Sequence, residues 1–472
     1  MNDNDAATRK DKVFLGHPAG LGWLSASEFW ERFSYYGMQA LLVLYLSKWL
    51  LQPGHIEHVW GIGPFRGAMI ALYGANSTET LAIAITSFYA AWVYGTPILG
   101  GLLADRVLGR TRTVILGASL MAAGQFFMMT DQTFLIAISC LLIGVGCFKG
   151  NIASQVGDLY SHDDPRRADG FQIYFLGIQV AVIVAPFVCS TLGESVDWRL
   201  GFAAAGVAML IGLTVYLLGR SHYPPEPLRR RSQADPSPGA ERPPLTSRDF
   251  KAIIILVALL PVLALSIVGN QQIFAAYLIW AGKYYQTVFF GYQMPIGWML
   301  SIDAVVSTIL MTGVIAFWRW WGRHWREPDE ITKIVIGTAI SALAPLTLAA
   351  ISAHVDTSGK PVTLAWAIPF HVLNDLGFAN VLPVGLALYS RAAPKGLGGV
   401  MIAVYYLHLL LGNMLTGRIG TLLGTIPTPT FWLVHVATMA LSAALLLVAR
   451  FAFGSTLAPA YEAPHATTEA SA

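Results

Sequence analysis

Apolar stretches of roughly 20 or more residues recur along the whole chain, and that is the length a helix needs to cross the hydrocarbon of a bilayer. Twelve can be read, at 23–51, 79–104, 112–130, 133–157, 170–193, 199–219, 250–282, 294–321, 331–353, 362–390, 397–424 and 429–452. Backbone polar groups cannot stay unpaired in lipid, so stretches this long read as helices, and the alternation of a membrane β-barrel is missing. Composition agrees: apolar types make up 55% of the 472 residues and charged types 12%. That is far below the roughly 25% charge of soluble domains, too little to coat a water-facing surface. A soluble enzyme and a nucleic-acid-binding module are therefore excluded, and the net charge of +3 is no basic footprint. Cys140, Cys147 and Cys189 lie in apolar stretches without metal-ligand or disulfide spacing. No metal, cofactor or catalytic residue is expected. The polar start, MNDNDAATRKDK, has no apolar region with a small-residue cleavage site, so no cleaved signal peptide is expected.

Lys and Arg orient the spans. Arg9, Lys10, Lys12, Arg106, Arg110, Arg112, Arg166, Arg167, seven residues between 220 and 251, Arg319, Arg323, Arg326, Lys333, Arg391, Lys395 and Arg450 fall on one side. Lys48, Arg66, Arg199, Lys283 and Lys360 fall on the other. The asymmetry predicts both termini in the cytoplasm. Residues 220–249 are rich in proline and arginine with no apolar run, and read as a flexible cytoplasmic linker. The predicted organisation is a cytoplasmic tail over 1–22, a six-helix bundle over 23–219, the linker, a second six-helix bundle over 250–453 and a cytoplasmic tail over 454–472. Segment 52–78 reads as an external loop. Two bundles of six joined this way resemble the major facilitator superfamily, an all-α membrane fold with its site between the halves near the midplane. The stretch GGLLADRVLGRTR at 100–112 resembles that superfamily's loop motif. Its glycines permit close helix packing, and Asp105, Arg106 and Arg110 form a candidate gating latch.

A charge near the bilayer centre costs at least about 2.5–3.5 kcal/mol on insertion scales, so the few that occur are candidates for function. Glu28, Glu31 and Arg32 sit in the first span at spacings of three and four, which projects them from one helix face. Arg32 is roughly 13 Å along the helix from Trp23, too deep to snorkel. Burial and a fixed guanidinium act on a carboxyl in opposite senses, which suits a carrier of a transferable proton; a self-neutralising structural cluster is the plainer alternative. Lys149, in the fourth span, has no carboxylate within a turn of its own helix. It must pair across helices, with Glu28 or Glu31 for example, lose its proton, or meet an anionic ligand.

Glu28–Gly37 is similar to the ExxERFxYYG motif of the proton-dependent oligopeptide transporter (POT) family, and Phe148–Asn151 to that family's fourth-span lysine motif. DGFQIYFLGIQVAVIVAPF at 169–187, PVGL at 383–386 and Leu411-Gly412-Asn413 also resemble family segments. The resemblance spans nearly the whole chain. It implies proton-coupled import of di- or tripeptides by alternating access. Glu28, Glu31 and Arg32 would then form the coupling cluster, Arg32 and Lys149 would meet the peptide carboxylate, and Tyr35, Tyr36 and Asn151 would line the pocket. The implied partners are a peptide or peptide-like substrate, protons and the lipid bilayer, with no nucleic acid; the chain would be a monomer in a bacterial inner membrane.

The C-terminal half departs from the family pattern. The seventh-span Glu-Gln is Gln271-Gln272, the eighth-span Ser-x-Asn-Pro is Ser301-Ile302-Asp303-Ala304, the tenth-span glutamate is Phe378, and the fifth-span asparagine is Gln179. Two extra helices common between the halves of bacterial members are missing from the span count. Gln179, Gln271, Gln272, Asp303 and Asp375 complete the substrate-binding candidates. Asp375, one turn before Phe378, could take the peptide's ammonium in place of the lost glutamate. If neither aspartate faced the cavity, a transporter or exporter of organic anions, or of modified peptides lacking a free amine, would fit better. His371 and His408 read as satisfied packing residues; Tyr277, Trp280, Trp298 and Tyr405 read as either core or pocket residues.

Overall fold

Short polar or glycine-bearing segments set the helix ends. The computed structural model describes residues 14–161, 164–223, 246–394 and 397–457; most of both predicted tails, most of the linker and Lys395 lie outside them. Helix α1 runs Ala19–Tyr45 and continues as a π-helical turn, Leu46–Leu50. Segment 52–78, read as a loop, carries helix α2, Ile62–Tyr73. There follow α3 (Thr78–Leu103), α4 (Arg110–Phe127), α5 (Phe134–Asp158), α6 (Arg166–Ser195) and α7 (Trp198–Leu218). Ser77 and Thr80 close α3 with a reciprocal capping box, and Asp197 caps α7 through the Arg199 N–H at 2.8 Å.

The second half comprises α8 (Ser247–Ser266), α9 (Val268–Gln271), α10 (Ala276–Tyr284), α11 (Trp298–His324), α12 (Glu330–Ser358), α13 (Ala367–Arg391), α14 (Gly398–Gly420) and α15 (Thr428–Leu457). The predicted single span 250–282 is thus broken at 267–275. A side chain takes over a freed backbone group there: Gln272 Oε1 accepts from the Ala276 N–H at 3.3 Å. Within α8 the hydroxyls of Tyr389 and Ser442 donate to the Leu256 and Val262 carbonyls on either side of Pro261. Between α10 and α11 a two-residue hairpin, Val288–Phe289 against Tyr292–Gln293, turns through Phe290 and Gly291 at positive φ. The other regular elements among the described residues are helices.

Ten helices among the described residues are long and apolar enough to cross a membrane. Helices α1 and α4 are not among the ten: α1 carries Glu28, Glu31 and Arg32, and α4 opens on Arg110 and Arg112. Close packing follows the glycines that the sequence places in α3 and α5. A Cβ on Gly100 would lie 1.9 Å from the Gly146 carbonyl oxygen, and one on Gly117 would lie 2.7 Å from that of Gly144. These approaches lock α3, α4 and α5 together.

The two halves meet along α3 with α14 and α6 with α11. They are stitched most firmly at the end that carries Tyr45, Ser195 and Trp298. Glu194 accepts the N–H groups of Ile296 and Gly297 at 3.0 and 2.8 Å, Lys283 pairs with Glu79 at 2.7 Å, and Arg418 reaches the Tyr73 carbonyl at 2.5 Å, beside left-handed Gly74. At the opposite end every ion pair among the described residues stays within one half, Arg110–Asp158 and Arg391–Glu330 (2.6 Å) among them.

Candidate functional site

A cavity of about 270 Å³ lies between the halves. Six of the sequence-predicted residues line it: Tyr35 and Tyr36 from α1, Gln179 from α6, Gln271 from α9, Asp303 from α11 and Asp375 from α13. Phe378 lines it too, in the position where the family pattern carries an acid. Gln179 donates to Thr308 Oγ1 at 3.2 Å and so bridges α6 to α11 at the cavity wall.

Glu28, Glu31 and Arg32 do meet on one face of α1, as their spacing predicts. Arg32 Nη2 donates to Glu31 Oε1 at 2.7 Å, Nε makes the second prong to Glu31 Oε2, and Nε lies 3.2 Å from Glu28 Oε1. Such a two-pronged, charge-assisted pair fixes both planes. Tyr174 of α6 faces Glu28, whose Oε2 has no hydrogen-bond partner. The cluster is buried, with exposures of 3%, 0% and 4%, and none of the three lines the cavity. Arg32 instead stacks on the Tyr35 ring at 5.3 Å, so one aromatic layer separates the charges from the cavity. Helix α1 thus turns Tyr35 and Tyr36, rather than its three charged side chains, to the cavity.

Lys149 is also set back. Its ammonium sits over the Tyr94 ring at 4.6 Å, and Tyr94 lines the cavity. Among the described residues it has no ion pair; Arg32, Glu31 and Glu28 are the charges that act on it. Two predicted pocket residues are elsewhere. Asn151 donates to the Cys147 and Gly100 carbonyls at 2.8 and 3.4 Å and ties α5 to α3; the close helix approach brings the Gly100 oxygen within its reach. Gln272 donates to the Thr416 carbonyl at 3.1 Å and meets His435 at 2.9 Å, holding the broken helix to α14 and α15. Tyr277, Trp280 and Tyr405 are fully buried and Trp298 packs on Phe187, none at the cavity wall. Of the latch residues, Arg110 pairs with Asp158, while Asp105 and Arg106 are exposed in a π-helical turn, Ala104–Leu108, with no ion pair among the described residues.

On the C-terminal wall the structure adds a residue that sequence reading took for packing. His371 Nδ1 lies 2.8 Å from Asp303 Oδ1 and its Nε2 lies 2.9 Å from the Tyr277 hydroxyl. His371 is fully buried. Asp375 accepts from Asn374 at 3.1 Å through Oδ1, and its Oδ2 has no partner. Donor atoms of Asp303, His371 and Asp375 lie within 4.8 Å of one another. With both ring nitrogens engaged, His371 would have to give up a hydrogen bond before it could ligate a metal. His408 bonds the Tyr405 carbonyl and is a packing residue.

The profile of the POT family matches residues 111–235 and 246–433. A di-/tripeptide transporter of Lactococcus lactis subsp. lactis is 30% identical over 93% of this chain and 83% of its own length. The peptide transporter YePEPT of Yersinia enterocolitica is 25% identical over 87% of this chain and 88% of its own. Among solved structures, a mutant POT peptide transporter in complex with alafosfalin superposes with a TM-score of 0.79 at 25% identity, covering 97% of this chain and 99% of that one. The membrane-spanning helices, the two packed halves and a profile match over more than half of its length agree: the chain belongs to the POT family of multi-pass membrane transporters.

Proposed function

We propose that the protein is a proton-coupled symporter that imports di- and tripeptides by alternating access between two six-helix bundles, 23–219 and 250–453. Helices α1 and α4 complete twelve spans in this reading. Both termini and the linker 220–249 are cytoplasmic, the membrane is a bacterial inner membrane, and the protein acts as a monomer. The stitched end that carries Glu194 and Lys283 is then external, so the structure is closed outside, and the unpaired Asp105 and Arg106 belong to an open latch on the cytoplasmic face.

The observation that carries the reading is the charge on the two cavity walls. Behind the Tyr35 and Tyr94 rings stand Arg32 and Lys149; opposite them, on the cavity surface, stand Asp303 and Asp375. A zwitterionic peptide bridges such walls, carboxylate toward the cations and ammonium toward the acids. The arrangement disfavours amine-free organic anions, which would leave both aspartates unmatched. Glu28 and Glu31 carry the transferred proton: a substrate carboxylate drawn to Arg32 competes with them for the guanidinium and favours a proton on one of them.

The test is dialanine uptake into proteoliposomes under an inward proton gradient, against N-acetyl-dialanine. Uptake of dialanine alone, lost when the gradient is collapsed, is expected. Equal uptake of the acetylated compound, or indifference to the gradient, would remove this reading.

A further inference from the structure

We propose that Phe378 selects the first side chain of the peptide: its ring closes an apolar subsite beside the aspartates, which takes a small residue such as alanine and turns away an aromatic one. The inference rests on the reading above that the substrate's ammonium meets the aspartate wall, and deepens it.

Helix periodicity builds the subsite. On α13, Asp375, Phe378, Ala379 and Leu382 are spaced by three, four and seven residues from the first, which puts them on one face, and all four line the cavity. On α11, Ala304, Ser307, Thr308 and Met311 repeat that spacing and line it too. The two helices pack on each other. Donor atoms of Asp303, His371 and Asp375 gather within 4.8 Å at one level of the pair. A second contact, Trp318 Nε1 to Asn380 Oδ1 at 2.7 Å, lies further toward both C-termini, so α11 and α13 run in the same sense. Phe378 and the short side chains of Ala304, Ser307 and Thr308 fall between these two contacts, on the cavity surface.

The covalent structure of a peptide decides what enters that space. Its first side chain branches from the carbon that bears the ammonium. With the ammonium at the aspartates, this side chain has to occupy the stretch just past them. A helical side chain leans over the turn that precedes its own Cα, so the Phe378 ring reaches back over the turn that begins at Asp375. Phe378 is half-buried and packs against the core of the second half, which holds the ring from behind. The family pattern carries an acid at this position. A ring takes no part in holding the ammonium and instead bounds the space beside it. Apart from the two aspartates, no acidic or basic side chain among the described residues lines the cavity, so the subsite selects by size and apolarity.

The experiment is competitive counterflow. Proteoliposomes that hold the full chain are loaded with dialanine, no pH gradient is imposed, and entry of labelled dialanine is challenged with Phe-Ala or with its isomer Ala-Phe. Ratios of inhibitory concentrations do not depend on how much protein is folded, so a poorly accumulating variant still reports them. In the wild type, unlabelled dialanine should compete at least about tenfold better than Phe-Ala. Phe378→Ala should remove that difference and Phe378→Leu should fall between, while the ratio of Ala-Phe to dialanine stays within about twofold of the wild type in both. Three results would each overturn the assignment: a wild type that accepts Phe-Ala as well as dialanine, a Phe-Ala ratio unmoved by Phe378→Ala, or an Ala-Phe ratio that moves as far as the Phe-Ala ratio. All three would leave peptide symport standing, whereas the absence of dialanine exchange in the wild type would remove the symport reading itself.

Discussion

His371 and Asp303 join α13 to α11 through a 2.8 Å contact between Nδ1 and a carboxylate oxygen, with Tyr277 closing the other side of the ring. Asp303 keeps 16% of its side chain exposed and can turn to water in the cavity, but Tyr277 is fully buried. Replacing His371 with alanine therefore strands the Tyr277 hydroxyl, at about 1–3 kcal/mol. Thermal unfolding in detergent should show His371→Ala well below the wild type. Adding Tyr277→Phe should cost less in that background than alone, because the double variant leaves no orphaned hydroxyl. Strictly additive losses would contradict the contact.

Arg32 is the fixed cation of a three-residue cluster, and its geometry separates charge from shape. Arg32→Ala leaves two buried carboxylates without a counter-ion, an effect of about 3–5 kcal/mol, so the variant should accumulate poorly in the membrane. Arg32→Lys keeps the charge but cannot make the two-pronged contact with Glu31. It should fold, and transport dialanine at least about tenfold more slowly, the equivalent of about 1.4 kcal/mol. Wild-type transport by Arg32→Lys would show that the fork has no role in coupling.

Two of the seals at the Glu194 end differ in strength. Lys283 and Glu79 are 58% and 38% exposed in their side chains, and a pair so wet is worth at most about 1 kcal/mol. The Glu194 side chain is 8% exposed and accepts two backbone N–H groups from the other half, which makes it the stronger tie. In an Ala90→Cys background, whose new thiol borders the cavity, a membrane-impermeant maleimide added outside should label Glu194→Ala about tenfold faster and Lys283→Ala no more than about fivefold faster. The reverse ranking would mean that the exposed pair holds the gate.

Ten of the twelve spans were legible because hydrophobic length is a local property of the chain, and the pairing of Arg32 with Glu28 and Glu31 was legible because helical spacing alone brings them together. What spacing cannot give is depth behind a wall. Tyr35 and Arg32 are three residues apart on one helix, yet only Tyr35 borders the cavity, since α6 packs over the charges. His371 looked solitary because its partners lie 68 and 94 residues away in sequence. The break in the seventh span was equally hidden: residues 267–275 are apolar or amide-bearing, and the partners that sustain the break, Thr416 and His435, belong to other helices. Asn151 illustrates the opposite error, a polar residue at a plausible pocket position whose amide is used up on backbone carbonyls.

Gly297 offers a way to force the halves apart without touching a charge. A Cβ added there would lie 1.9 Å from Ser190 Oγ and 2.7 Å from Ser190 Cβ, on α6 of the other half. The hydroxyl can rotate away; the Cβ cannot, short of a backbone shift. Gly297→Ala should therefore destabilise the externally closed arrangement while leaving each half intact, and raise external labelling of Ala90→Cys as Glu194→Ala does. Ser190→Gly removes the obstructing atoms, so the double variant Gly297→Ala/Ser190→Gly should label again as slowly as its parent. Failure of the second substitution to restore slow labelling would mean that the alanine acts on its own helix rather than on the seam between the halves.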